Sequence, residues 1–451
     1  MTAPAAQLAS DVAGDVLALV RRRSADAEAE VDVRSGRLGL TRFANSFIHQ
    51  NVAEDLGSVS LRLALDGRVA SARLDGPSEP DRLERLVGQA FEAARVSPVD
   101  PEWPGVGGAA PAPNVDHWDE ATASASAEDR ARRVAEFVTA GGDLETAGAL
   151  ATQSITVAFA TTAGQAVTGR TTIAEIDGIA RTPTSDGVAR QASVALADID
   201  GQEAGERAAR KAREAANPTE VEPGRYPVVL EPSCVANLLT FLQNHGFGGR
   251  VVEERRSFVR IGEPQLDASI TIRQNIGHRL MVGLPFDAEG TPRQTLDVVR
   301  DGVPTAVLHD RRSASKAGVA STGNAVEGPN SFGFVAASTV LLPGDRAPST
   351  LIEELERGIL VSDFWYTRVL DPRTLVVTGL TRNGVWLVED GRVVRPLRNL
   401  RFTQSYAEAL APGAVLGVGS DLALFPEGHD SAQLVPSLQL ASWNFTGGAK
   451  G

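Results

Sequence analysis

The stretch "SVSLRLALDGRVASARL", Ser58 to Leu74, decides the fold. Val59, Leu61, Leu63 and Leu65 alternate with Ser60, Arg62 and Ala64, the two-residue period of a strand with one apolar face. Asp66-Gly67 then supplies the residues that a tight hairpin turn favours, and Ala70, Ala72 and Leu74 carry the return strand. The apolar face of such a hairpin needs a cover, and helical patterns flank it on both sides. Before it, Leu8, Val12, Val16, Leu19 and Val20 recur at helical spacing, and Arg21, Arg22 and Arg23 sit where cations suit a helix C-terminus. After it, Ser78 is placed to cap a helix with Leu83, Leu86, Val87, Ala90 and Phe91 inward. The first 96 residues are therefore expected to form a compact α+β module.

Outward from this module, "SPVDPEWPGVGGAAPAPNVD", Ser97 to Asp116, is dense in proline and glycine and has no apolar period, which marks it as a connection. Ser126 and Asp129 then make a capping pattern ahead of Val134, Phe137 and Val138, and strand-like sequence follows from Ile155 to Leu196. A helix rich in alanine and charge, Glu203 to Ala216, stops at Asn217-Pro218. "EPGRYPVVLEPS" marks a second boundary near Glu222, ahead of a short strand, Val228 to Leu230. No repeat of fixed period is present. The expected division is 1–96, 117–222 and 223–451. The expected fold class is α+β with two lobes: an N-terminal lobe of mixed helices and antiparallel hairpins, and a C-terminal β-rich domain.

Charge and composition narrow the function. The formal net charge of −13 repels phosphate backbones and anionic lipid, so binding to nucleic acid or a membrane surface needs a local basic patch, and no strong candidate is visible. Arg392, Arg395, Arg398 and Arg401 recur every three residues, which in an extended strand alternates faces and builds no continuous stripe. Cys234 is the only cysteine, which excludes an internal disulfide and a multi-thiolate zinc site and fits a reducing compartment. Asp11 and Asp15 lie where a signal peptide is apolar, and no window approaches the roughly 20 apolar residues of a membrane span. A soluble cytoplasmic protein is expected.

Four stretches in this order resemble the TldD/PmbA family, in particular its PmbA (TldE) branch, over essentially the whole chain. They are the Ser58 hairpin, "FDAEGTP" at Phe286 to Pro292, "DRRSASKAGVASTGNA" at Asp310 to Ala325, and "GRVVRPLRNLRFTQS" at Gly391 to Ser405. The resemblance implies that the C-terminal domain is metallopeptidase-like. In the TldD branch, the helix that matches Leu238 to His245 carries a zinc-binding HExxxH. Two neutral imidazoles hold the metal and the glutamate takes a proton from a polarised water. Histidines five apart stand about 140° apart on an ideal helix, so the motif suits a helix that ends or distorts at the second one. In "LLTFLQNHGFGG", Leu238 to Gly249, the matching positions hold Thr240, Phe241 and His245, and only the last keeps its residue. The family's cysteine ligand, expected around Leu424 to Gln433, has no counterpart in "LFPEGHDSAQ".

The resemblance therefore implies no catalytic and no metal-ligating residue in this chain, with Thr240, Phe241 and His245 as vestigial positions. It implies a TldD-type metallopeptidase subunit as partner, zinc in that partner and no cofactor here, and small unfolded peptides as substrates, bound by strand addition. Two alternatives stay open: a self-sufficient peptide hydrolase and a homo-oligomeric peptide-binding module. The remaining residues have plainer readings. His245 is placed to donate to a carbonyl at a helix end, Cys234 to be a buried thiol and not half of a Cys-His pair, and Asp287 and Glu289 to build a turn rather than hold a cation. His429 is the one imidazole near the missing cysteine position, and without a third ligand or a base it is a poor substitute.

Overall fold

The computed structural model describes residues 3–328, 330 and 332–448, so residues 1–2 and 449–451 at the ends of the expected units lie outside it. The N-terminal half runs α1 (Ala3–Arg23), β1 (Glu28–Ala44), β2 (Phe47–Leu65), β3 (Arg68–Asp75), α2 (Pro80–Val96), α3 (Glu120–Ala123), α4 (Ala127–Gly141), β4 (Glu145–Thr161), β5 (Ala166–Thr182), β6 (Ser185–Ser193) and α5 (Gly201–Glu214). Its strands form one antiparallel sheet in the order β3-β2-β1-β4-β5-β6. Two three-stranded meanders, each flanked by helices, thus meet back to back at the β1–β4 seam, where Glu30 faces Thr161 and Phe43 faces Gly148. The repeat is one of structure without a sequence period, because a meander needs only apolar alternation and turns, not particular residues.

The Ser58 hairpin forms as expected. Leu65 pairs with Arg68, and Asp66 and Gly67 take φ of 50° and 71° in the two-residue turn. Ser126 and Asp129 form the expected reciprocal cap of α4. Two helix starts differ from expectation. α2 begins at Pro80 behind Glu79, not Ser78, because proline suits the first helical position and presets its φ. α5 begins at Gly201, where the Asp200 side chain accepts from the Glu203 amide.

Alternation assigns the two faces of the sheet. Val31, Val33, Val59, Leu61 and Leu63 pack beneath α1 and α2, while Phe43, Leu150 and Ile176 pack with Val134, Phe137 and Ala208 of α4 and α5. The intervening residues point the other way, and there Ile155, Val157 and Phe159 meet Leu284 and Phe286 of the C-terminal half. The hairpin's second face is therefore also covered, and Arg62 lies on it.

The C-terminal half runs β7 (Gly224–Leu230), α6 (Pro232–Leu242), α7 (Gly249–Glu253), β8 (Ile272–Gln274), β9 (Leu296–Arg300), β10 (Val303–Pro304), α8 (Arg311–Ala317), β11 (Ser338–Leu341), α9 (Pro348–Glu353), β12 (Arg357–Asp371), β13 (Val376–Glu389), β14 (Arg392–Pro396), β15 (Leu400–Ser405), α10 (Tyr406–Ala409), β16 (Val415–Val418), β17 (Ala423–Glu427), β18 (Ser431–Val435) and β19 (Leu438–Gly448). One sheet has the order β10-β9-β8-β11-β18-β17. In the other, β12 pairs with both β7 and β13, which closes β12-β7-β19-β15-β13 into a ring. Phe364, Phe402 and Trp443 pack in its core with ring centroids 4.6 to 5.3 Å apart. The fold is thus mixed α and β with a β-rich C-terminal domain, as expected. Among the described residues, no helix is long and apolar enough to cross a membrane.

Candidate functional site

Helix α6 follows β7 directly. Pro232 occupies its first turn, and Cys234, Val235, Leu238, Leu239 and Leu242 form the face buried in the C-terminal core. The residues left on the other side include Thr240 and Phe241. Past Leu242 the helix widens into a π turn, Gln243–Phe247, which holds His245. Such turns swing a side chain away from its α-helical position and recur at functional sites. Gly246 is required here, since a Cβ would stand 2.6 Å from the Phe258 ring.

Phe241 and His245 come together, with rings stacked at 5.8 Å, and Phe241 also meets the edge of the Tyr406 ring at 5.7 Å. Burial, with Arg256 nearby, lowers the His245 pKa and favours the neutral imidazole. Its Nδ1 is buried and has no hydrogen-bond partner among the described residues, so the expected bond from this nitrogen to a helix-end carbonyl is not formed. The ring stacks on Phe241 instead. Thr240 faces elsewhere: its hydroxyl lies 2.8 Å from Glu427 Oε1 and accepts from Gln433 Nε2 at 2.7 Å. Glu427 and Gln433 fall in the segment searched for a cysteine. Sequence reading missed them because their relevance comes from the β17–β18 hairpin, which carries both to the Thr240 face of α6.

These residues do not fit the family's zinc. Phe241 has neither a donor atom nor a base, the Thr240 hydroxyl is engaged by an amide and a carboxylate, and His245 is a single imidazole. Among the described residues, one group of three or more potential ligands lies close together: Glu327, His429 and Asp430. A guanidinium already stands inside it, with Arg34 Nη1 2.7 Å from Glu327 Oε2 and 2.8 Å from His429 Nε2. His429 thus joins the contact between the two halves of the molecule. Cys234 is fully buried with its thiol 3.6 Å from the Val361 carbonyl, and burial pushes its pKa well above the usual thiol range. His309 Nδ1 lies 3.1 Å from Ser313 Oγ, but that hydroxyl donates to Asp310 at 2.6 Å within the cap of α8, and both residues are buried. It is a capping arrangement rather than a nucleophile and its base.

The FDAEGTP segment is a turn, as expected, and it also joins the two halves. Asp287 accepts from the amides of Glu289, Thr291 and Ala325. Glu289 binds Arg62 from the hairpin and Arg311 from α8, and both arginines also bind Glu30 of β1. Burial opposes ionisation of Glu289, but Arg311 and Arg62 outweigh it and hold its pKa below the ordinary value. Burial, with Glu289 adjacent, pushes Asp287 up to about 7. Between its ordinary value near 3.8 and about 7 the folded chain holds a proton that the unfolded chain has released, so stability falls as pH rises through this window. Urea titrations at pH 5 and pH 8 should show the loss in wild type, and Asp287→Asn should flatten the slope even where it lowers stability overall. An unchanged slope would show that Asp287 is ionised throughout.

Comparison with known proteins matches residues 223–447, from the start of β7 almost to the end of β19, to a family model described as PmbA/TldA metallopeptidase C-terminal domain. A curated relative named Metalloprotease, from Methanothermobacter thermautotrophicus, is 25% identical over 227 residues, which are 50% of this chain and 48% of that protein. The Metalloprotease TldD homolog of Haemophilus influenzae is 25% identical over 209 residues, 45% of this chain and 42% of its own. The chain thus spans about half the length of the curated relatives it matches. The crystal structure of TldE from Thermococcus kodakarensis superposes with a TM-score of 0.86 and 20% identity, covering 96% of this chain and all of that one. The two share the fold.

Proposed function

We propose that this chain, which belongs to the TldD/PmbA family, is the TldE-like, non-catalytic subunit of a zinc peptidase whose metal and water-activating carboxylate lie on a TldD-type partner. One observation carries this reading: on α6, packed against the core, the positions that the resemblance matches to an imidazole and a carboxylate hold a hydroxyl and a phenyl ring. In this reading the assembled enzyme works in the cytoplasm and trims small, unfolded peptides. Extended peptides add to a strand edge through sequence-tolerant main-chain hydrogen bonds. Closure of the β7–β12–β13–β15–β19 ring confines such pairing to strands outside it.

The test uses the purified full chain, a TldD-type protein from the same source, and the two mixed at micromolar concentration. The chain alone should hold no stoichiometric zinc and cleave no unfolded peptide. The mixture should run as one complex on gel filtration, with an interface above the roughly 1,000 Å² of a stable contact, and should cleave with zinc dependence. Separate species on the column sink the subunit assignment. One zinc per chain that His245→Ala removes, with turnover by the chain alone, favours the self-sufficient hydrolase instead.

A further inference from the structure

A cavity of about 350 Å³ lies where the β5–β6 turn of the N-terminal half meets β13 and the 397–399 segment beside the closed ring. We propose that it binds an oxyanion, a carboxylate or phosphate group carried by a small ligand. Its volume is at the lower end of the range for small-molecule sites, roughly 300–1,000 Å³.

The charged groups on its wall are Arg181, Arg382, Arg398 and Asp186. Asp186 is taken up by Arg181, with Nε to Oδ1 at 2.6 Å. Arg382 and Arg398 form no ion pair among the described residues. In a chain of net charge −13, two arginines without an ion-pair partner on the wall of one concavity stand out, because low-dielectric walls concentrate the field of their charges. Guanidinium is also the side-chain group whose planar fork matches an oxyanion in two-point contact.

The backbone sets one of these groups in place. Val361 pairs with Val385 and Asp363 with Arg382, so two residues of β13, Asn383 and Gly384, stand opposite Ser362 alone. Asn383 and Gly384 take φ of 58° and 128°, and a Cβ on Gly384 would meet the Trp386 ring at 2.2 Å. A bulge of this kind turns the neighbouring side chains out of the ladder's regular alternation. The Arg382 guanidinium sits 4.3 Å above the Trp365 ring, a cation–π contact that holds it without neutralising it.

The experiment is calorimetry and thermal melting of the full chain at constant ionic strength. Inorganic phosphate, N-acetyl-dialanine as its free acid, and the corresponding amide are the probes, with sodium chloride as the balancing salt. Phosphate or the free acid should bind saturably and raise Tm, while the amide does neither. Preference for phosphate assigns the site to phosphorylated ligands, and preference for the free acid assigns it to carboxylates. Arg382→Gln and Arg398→Gln should each weaken binding at least about tenfold. Arg398 is exposed, so its variant keeps the test valid if loss of the Trp365 contact disturbs Arg382→Gln. No saturable binding of either anion, or equal binding by the double variant, overturns the proposal.

Discussion

Thr240→His combined with Phe241→Glu should lower Tm and still give no zinc-dependent peptidase activity, although it restores the helical motif. The loss comes from position 241. Its ring packs on Tyr406 and His245, and removing a fully buried phenyl group costs about 3–5 kcal/mol, an upper bound for this half-buried one. The new carboxylate gains no hydrogen bond from Tyr406, whose hydroxyl already donates to Asn237. Position 240 is more tolerant because Glu427 already faces it and can accept from an imidazole. Melts of the single variants should therefore show a small effect for Thr240→His and a large one for Phe241→Glu. A double variant as stable as wild type that gains zinc-dependent turnover would show that the catalytic pocket is still intact.

Arg311→Met should destabilise the chain by about 3–5 kcal/mol, the usual cost of stripping one partner from a buried ion pair. Arg311 binds Glu30 and Glu289, which are 3% and 8% exposed, and Arg62 alone would be left to compensate both. The neighbouring arginine is the control. Arg312 pairs with the more exposed Asp100 and Glu102, so Arg312→Met should cost at most about 1 kcal/mol. Urea denaturation of the two variants checks this. Equal losses would mean that the buried cluster contributes no more than a surface pair.

The contrast between those adjacent arginines also marks where sequence reading stops. Alternation from Val59 to Leu74, the Asp66-Gly67 turn and the Ser126 cap were legible because each is decided within a few residues. The same alternation puts Arg62 on the opposite face, but its partners, Glu30 and Glu289, lie far along the chain in both directions, and no local pattern announces them. At the candidate site, Thr240 and Phe241 were legible only as positions that the resemblance matches to the HExxxH. The contacts that fill the space were not, because Glu427, Gln433 and Tyr406 come from strands and a helix 165 residues or more further along the chain. Closure of the ring is equally hidden, since it rests on β12 pairing with two strands far from each other in the chain.

The doubled meander makes the N-terminal half resemble a dimer whose subunits share one chain. Each hairpin in it closes locally, whereas the seam pairs Glu30 with Thr161 across a long stretch of chain. The proline-rich connection from Ser97 to Asp116 is docked and not slack: Trp103 donates to Glu28, the Gly105 carbonyl accepts from Arg311, and Gln165 bonds Ala110 in both directions. Its role is to keep the two units at high effective concentration, turning what would be a bimolecular encounter into a step independent of protein concentration.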